Sequence, residues 1–185
     1  MNPQAFFKLS YGLFVIATKT EQKMNGCIIN TVTQVAEDPK RIIFAVNKQN
    51  LTSEMIQKAG IASISVLSES APFSIFKNFG FQSGREADKF VGVPFALTKQ
   101  ELPYLKEHTN AYFDCKVLNS YDLGTHMMFL AEVTDADVLS DEKAMTYAYY
   151  HEFVKPKPDS SQSAPKKGWR CTVCGYVYEG EELPP

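Results

Sequence analysis

One segment constrains this chain more than any other. From Lys155 to Gly168 it reads KPKPDSSQSAPKKG, with three prolines, three serines, four lysines and no large apolar side chain. Such a stretch cannot bury enough surface to offset the entropy of ordering it, so it reads as a flexible linker. Any core must therefore come from residues 1–154, with residues 169–185 as a separate short tail. A body of that size is enough for one ordinary domain, which typically runs ~100–200 residues. Of the 185 residues, 44% are hydrophobic and 12% aromatic, too apolar a composition for a disordered chain. Nineteen basic and 21 acidic side chains leave a formal charge of −2, which argues against a nucleic-acid binder. No apolar run reaches the ~20 residues of a membrane helix. The N-terminus Met1-Asn2-Pro3-Gln4-Ala5 has neither the basic stretch nor the apolar core of an export signal, so a cytoplasmic, reducing location is expected.

The body reads mainly as strands. Leu13–Ala17, Cys27–Val35, Arg41–Val46 and Ile61–Leu67 are runs rich in β-branched residues. Tyr112–Leu118 and His126–Val133 are two more, and the short connection over 119–124 suits an antiparallel pair. A helix capped by Thr52 or Ser53 is predicted to run to Ala59, stopped by Gly60, and a second over Pro72–Asn78. Many short strands with few helices favour a closed or nearly closed antiparallel barrel. Cys27 and Cys115 lie in apolar strand patterns and read as buried small hydrophobes. Glu86, Asp88 and Lys89 read as a solvated face.

Three polar segments stand where core packing would not put them: Asn30-Thr31-Val32-Thr33-Gln34, Asn47-Lys48-Gln49-Asn50-Leu51-Thr52 and Phe81-Gln82-Ser83-Gly84-Arg85. Each alone could be a strand edge or a solvated turn. Together they offer amides, hydroxyls, cations and a helix N-terminus, the donors that an anionic phosphate and a polar ring require. The glycines of Gly80–Gly84 do not make the dinucleotide fingerprint, nor is there a βαβ unit around them.

The order of these segments, with Gly124-Thr125-His126 and Tyr147-Ala148-Tyr149-Tyr150-His151 after them, resembles the flavin reductase-like family of FMN-binding split barrels. The resemblance covers residues 5–154. It implies a mainly β split barrel that binds FMN and works as a homodimer with flavin sites near the subunit interface. It implies that Asn30, Thr31, Val32, Thr33 and Gln34 run along the ring and ribityl chain. Asn47, Lys48, Asn50 and Thr52, with Phe81, Ser83, Gly84 and Arg85, would hold ribityl and phosphate. His126 would lie by the flavin face where NADH or NADPH stacks, and would orient the nicotinamide or tune the flavin rather than transfer a proton.

The tail carries Trp169-Arg170-Cys171-Thr172-Val173-Cys174-Gly175-Tyr176-Val177-Tyr178. A Cys-x-x-Cys by itself fits a redox dithiol, a zinc half-site or an iron half-site. The flanking tryptophan and tyrosines, followed by Gly180-Glu181-Glu182 and Pro184-Pro185, resemble the first half of rubredoxin. That resemblance makes Cys171 and Cys174 iron ligands, with a second pair expected in a longer chain. A flavin barrel tethered to a rubredoxin is the layout of high-molecular-weight rubredoxins. It implies an electron route from NAD(P)H through FMN and rubredoxin iron to a flavodiiron oxygen or nitric oxide reductase. Two other readings remain: a flavoprotein carrier reduced by a protein donor, and a structural split-barrel dimer without flavin.

Overall fold

The computed structural model describes residues 1–157 and the backbone of residues 169–170 and 177–178. The chain separates into two units, Met1–Lys155 and Pro156–Pro185.

The first unit is built on seven strands: β1 (Phe14–Lys19), β2 (Met24–Ile29), β3 (Val32–Ala36), β4 (Arg41–Asn47), β5 (Ile61–Leu67), β8 (Thr109–Asp122) and β9 (His126–Val138). Their order is β2-β1-β5-β8-β9-β4-β3, antiparallel at every pairing. A second, two-stranded sheet pairs β6 (Phe95–Leu97) with β7 (Pro103–Leu105). Two helices, α1 (Leu51–Ala59) and α2 (Phe73–Phe81), the short α3 (Tyr147–Tyr149), a 3-10 helix at Pro3–Lys8 and a π-helical turn at Tyr150–Val154 complete the unit.

The order of strands forces closure. β2 and β3 occupy opposite ends of the seven-strand series, yet only Asn30 and Thr31 separate them in sequence. That connector spans at most about 10 Å. The sheet must therefore curl until its two edges stand side by side without pairing, which is a split barrel, as expected. The reading of Cys27–Val35 as one strand needs correction. The run is broken at Asn30-Thr31, and its halves belong to opposite edges.

Both faces of β1 are buried, which explains its unbroken apolar run. Ile16 points into the barrel with Ile42, Phe44, Ile64 and Phe129, while Val15 joins an outer cluster with Leu67, Phe76, Phe79 and Phe90. Phe44 and Phe129 are cross-strand partners, stacked at 5.2 Å between centroids. Ile56 of α1 is part of the inner cluster, and α2 packs in the outer one. Cys27 and Cys115 are buried in the inner cluster, as expected.

α1 begins earlier than predicted, with its N-cap at Asn50 rather than at Thr52 or Ser53. Asn50 is its N-cap, without a side-chain cap bond, and Gly60 closes it in the left-handed conformation at φ 68°. The β8–β9 hairpin turns through Leu123-Gly124-Thr125, with Gly124 at φ 89°. The predicted second helix is offset: α2 runs from Phe73 past Asn78 to Phe81.

In the second unit, β10 (Trp169–Arg170) pairs antiparallel with β11 (Val177–Tyr178), matching Trp169 with Tyr178 and Arg170 with Val177.

Candidate functional site

Strand register brings most of the anticipated residues to one rim of the barrel. Val32 pairs with Phe44, so Asn30 and Thr31 continue towards the Asn47 end of β4. Asn47 in turn faces His126 across the β4–β9 ladder. Next to it the Lys48 amide donates to the Thr125 carbonyl at 3.0 Å, and the Lys48 ammonium pairs with Asp122 at 2.7 Å. The Thr125 hydroxyl and His126 Nδ1 lie 2.9 Å apart, which fixes the half-buried ring. Thr33 and Gln34 run along the exposed outer strand β3 and lie opposite Ile43 and Ile42.

A turn then leads from this rim into α1. The Asn47 side chain accepts from the Gln49 amide at 2.9 Å, and its carbonyl accepts from the Asn50 amide at 3.0 Å. The first turn of α1 borders a cavity of about 220 Å³. Its lining comes from Gln49–Thr52, from Gly80–Gly84 and from Asn25 and Lys89. Two of the three polar segments thus meet around one hollow. Helix N-terminal amides and dipole make such a hollow an anion site.

Not every anticipated side chain faces it. Thr52 is fully buried, and its hydroxyl accepts from Asn25 Nδ2 at 3.0 Å. Arg85 is paired with Glu54 of α1, while its amide donates to the Ser83 hydroxyl at 3.2 Å. Gly84 fits where no side chain could: a Cβ there would stand 2.2 Å from Asn25 Oδ1.

Two residues of the cavity escaped sequence reasoning. Asn25 lies within Met24-Asn25-Gly26, which looks like a turn, yet it is 1% exposed in β2 and its Oδ1 has no partner. Lys89 was expected on a solvated face; instead it is 2% exposed. Its ammonium donates to the Gly26 and Phe79 carbonyls at 3.0 and 3.2 Å. Carbonyls far along the chain bury it, so no local signal could have shown this. Burial lowers the Lys89 pKa, the nearby Cys27 thiol raises it, and the Lys23 cation lowers it further. Burial also pushes Cys27 up to about 11 against a hydrogen bond from Thr52, so this thiol stays neutral.

Against this geometry, known proteins were compared. The family description "Flavin reductase like domain" matches residues 6–156. A second, "Rubrerythrin, rubredoxin-like domain", matches residues 169–185. The chain belongs to the flavin reductase-like family. Its flavin reductase-like barrel is followed by a rubredoxin-like segment. High molecular weight rubredoxin of Moorella thermoacetica is 41% identical over the whole chain and 86% of its own length. Ferric-chelate reductase (NAD(P)H) of Archaeoglobus fulgidus is 36% identical over 85% of the chain and 93% of its own length. Among solved structures, NADH:FAD oxidoreductase SgcE6 of Streptomyces globisporus in complex with NAD and FAD fragments superposes with a TM-score of 0.70. It is 21% identical over 84% of this chain and 91% of that one, which speaks to fold alone. Membership of the family implies flavin binding, and the rubredoxin-like segment implies iron.

The residues present fit a flavin at the phosphate end. The orphaned Asn25 amide oxygen, the Gly84 cradle and the uncapped α1 N-terminus converge on one cavity. Cys171 and Cys174 lie outside the described residues. Among the described residues no group of three His, Cys, Asp or Glu could hold a metal, and no helix is long and apolar enough to cross a membrane.

Proposed function

We propose that this chain is an NAD(P)H-dependent oxidoreductase that uses FMN and delivers electrons to rubredoxin-type iron held in part by Cys171 and Cys174. From there they pass to an acceptor protein of the flavodiiron type. The observation that carries the reading is the α1 cavity opening beside the rim of Asn30, Thr31, Asn47 and His126. The named activity of the Archaeoglobus relative, a ferric-chelate reductase (NAD(P)H), supports a nicotinamide donor.

A bound flavin supplies hydride acceptance in one step and electron release one at a time. The chain supplies position. The α1 amides, Ser83 and the Gly84 turn hold the phosphate. Asn47, Lys48, Asn50, Phe81 and Arg85 border the polyol, and Asn30–Gln34 line the ring along the open sheet edge. His126, its Nδ1 held by Thr125, presents the ring's other nitrogen to the nicotinamide. The division into a flavin domain over 1–154, a linker over 155–168 and a rubredoxin part from 169 belongs to the same proposal. The linker keeps the two redox parts at high effective concentration. A homodimer and a cytoplasmic location complete it.

The test is anaerobic reduction of the FMN-loaded chain. NADH or NADPH should bleach the flavin band near-stoichiometrically, and His126→Ala should raise KM for the nicotinamide with flavin affinity unchanged. If neither nicotinamide bleaches the flavin but a reduced protein donor does, the chain is a carrier and the enzyme reading is lost.

A further inference from the structure

A second cavity, of about 310 Å³, also borders α2 but shares no lining residue with the polar hollow at α1. Ile75 and Phe79 of α2, with Val93, Pro94 and Leu105, give it apolar walls. Its volume stands at the lower end of small-molecule pockets, which run about 300–1,000 Å³ and take their specificity from a few polar groups. Here those are Ser74, Asn78, Glu107 and His108. The Asn78 amide already donates to the Lys89 carbonyl at 2.6 Å. Among the described residues no lysine or arginine lines the cleft, and Glu107 gives it a negative charge. An anion is thus disfavoured there.

His108 is held from behind. It sits at φ 59°, in the left-handed region that few residues other than glycine adopt. The Ser68 amide fixes that backbone by donating to the His108 carbonyl at 2.9 Å. Nδ1 of the ring lies 3.2 Å from the Ser70 hydroxyl, which in turn donates to Glu142 Oε2 at 2.7 Å. Hydrogen bonds from Ser68 and Ser70 hold the Glu142 carboxyl below its usual range, so it is ionised and can only accept. A hydroxyl has one proton, and Ser70 gives it to Glu142. The Ser70 oxygen must then accept from His108, which places the imidazole proton on Nδ1. In the neutral ring Nε2 is therefore a bare acceptor. Ser70 and Glu142 stand outside the cleft that His108 lines, so Nε2 is the nitrogen left for a ligand.

We propose that the cleft between α2 and Val91–Pro94 is a second ligand site, which takes an uncharged aromatic molecule whose phenolic hydroxyl donates to His108 Nε2. The apolar walls take the ring, and the Ser70–Glu142 relay keeps the imidazole ready as acceptor. The inference is independent of the flavin reading.

Calorimetry on the full chain, with and without saturating FMN, uses p-cresol, its methyl ether p-methylanisole and the anion p-toluate. p-Cresol should bind with a Kd below about 1 mM, within reach of so small a ligand, whether or not FMN is present. The ether lacks the donor and should bind at least about tenfold more weakly, the loss expected when a desolvated acceptor goes unpaired. p-Toluate should not compete. His108→Asn keeps a residue tolerated at that φ and removes the imidazole; it should weaken p-cresol by about tenfold and leave the ether unchanged. Val93→Trp fills the cleft and should abolish binding of both, which covers the case in which His108→Asn does not fold. Absence of p-cresol binding, an ether as tight as the phenol, or unaltered p-cresol affinity in the variants would overturn the proposal. Displacement of p-cresol by FMN would place the phenol in the hollow at α1 and overturn it equally.

Discussion

At the scale of single residues, His151 shows how packing changes chemistry without a charged partner. It sits on the π-helical turn Tyr150–Val154 with its ring edge-on to Tyr147 at 4.4 Å, and its Nε2 is buried without a partner. Burial lowers its pKa first, and the Lys155 charge lowers it further. The folded state thus prefers neutral imidazole more than the unfolded chain does. Its stabilisation is complete above the unfolded value near 6.5 and is lost as pH falls towards the lower folded value. The thermal midpoint should therefore drop between pH 7.5 and 5.5, and His151→Phe should flatten that slope. An equally steep slope in the variant would assign the effect to other groups. The residues of the candidate site were legible unevenly. Asn47 and His126 were visible as turn-and-strand boundaries, and the ladder does set them opposite each other. Lys89 and Asn25 were not, because their burial comes from the Phe79 carbonyl, Thr52 and Gly84, which only the fold brings near.

At the scale of elements, the strand assignments whose patterns are local held best. β5 coincides with the predicted Ile61–Leu67, bounded by Gly60 and polar Ser68. β8 and β9 are longer than predicted because their polar ends still pair with each other, from Ala111 with Val138 to Asp122 with Met127. Pairing satisfies backbone groups whatever the side chains are. The break between β2 and β3 was hidden because Asn30-Thr31 interrupts a β-branched run by chain direction, not by composition. The β4–β9 ladder supplies the core's main aromatic contact. Phe44 and Phe129 are both fully buried and directly opposed. Phe44→Ala should cost about 3–5 kcal/mol, read as a lower denaturation midpoint with an unchanged slope. A loss below about 1 kcal/mol would mean that the barrel refills the space.

At the scale of the molecule, apolar side chains remain exposed at the end of the long hairpin: Leu118, Tyr121 and Leu123. In the proposed homodimer, a second copy would cover them. Sedimentation should give twice the mass of the chain, and Leu123→Lys should shift it towards a single chain. A wild-type monomer at micromolar concentration would remove the dimer from the proposal. The split that closes the barrel also leaves β3 paired on one side only among the described residues. Unpaired strand edges recruit one another into fibres. Here the ladder slips between Gln34 and Ala36, and the bulge bends the strand just where a foreign strand would need it straight. The irregularity at Val35 is thus a safeguard: the barrel stays open enough to admit a ligand without becoming a template for its own aggregation.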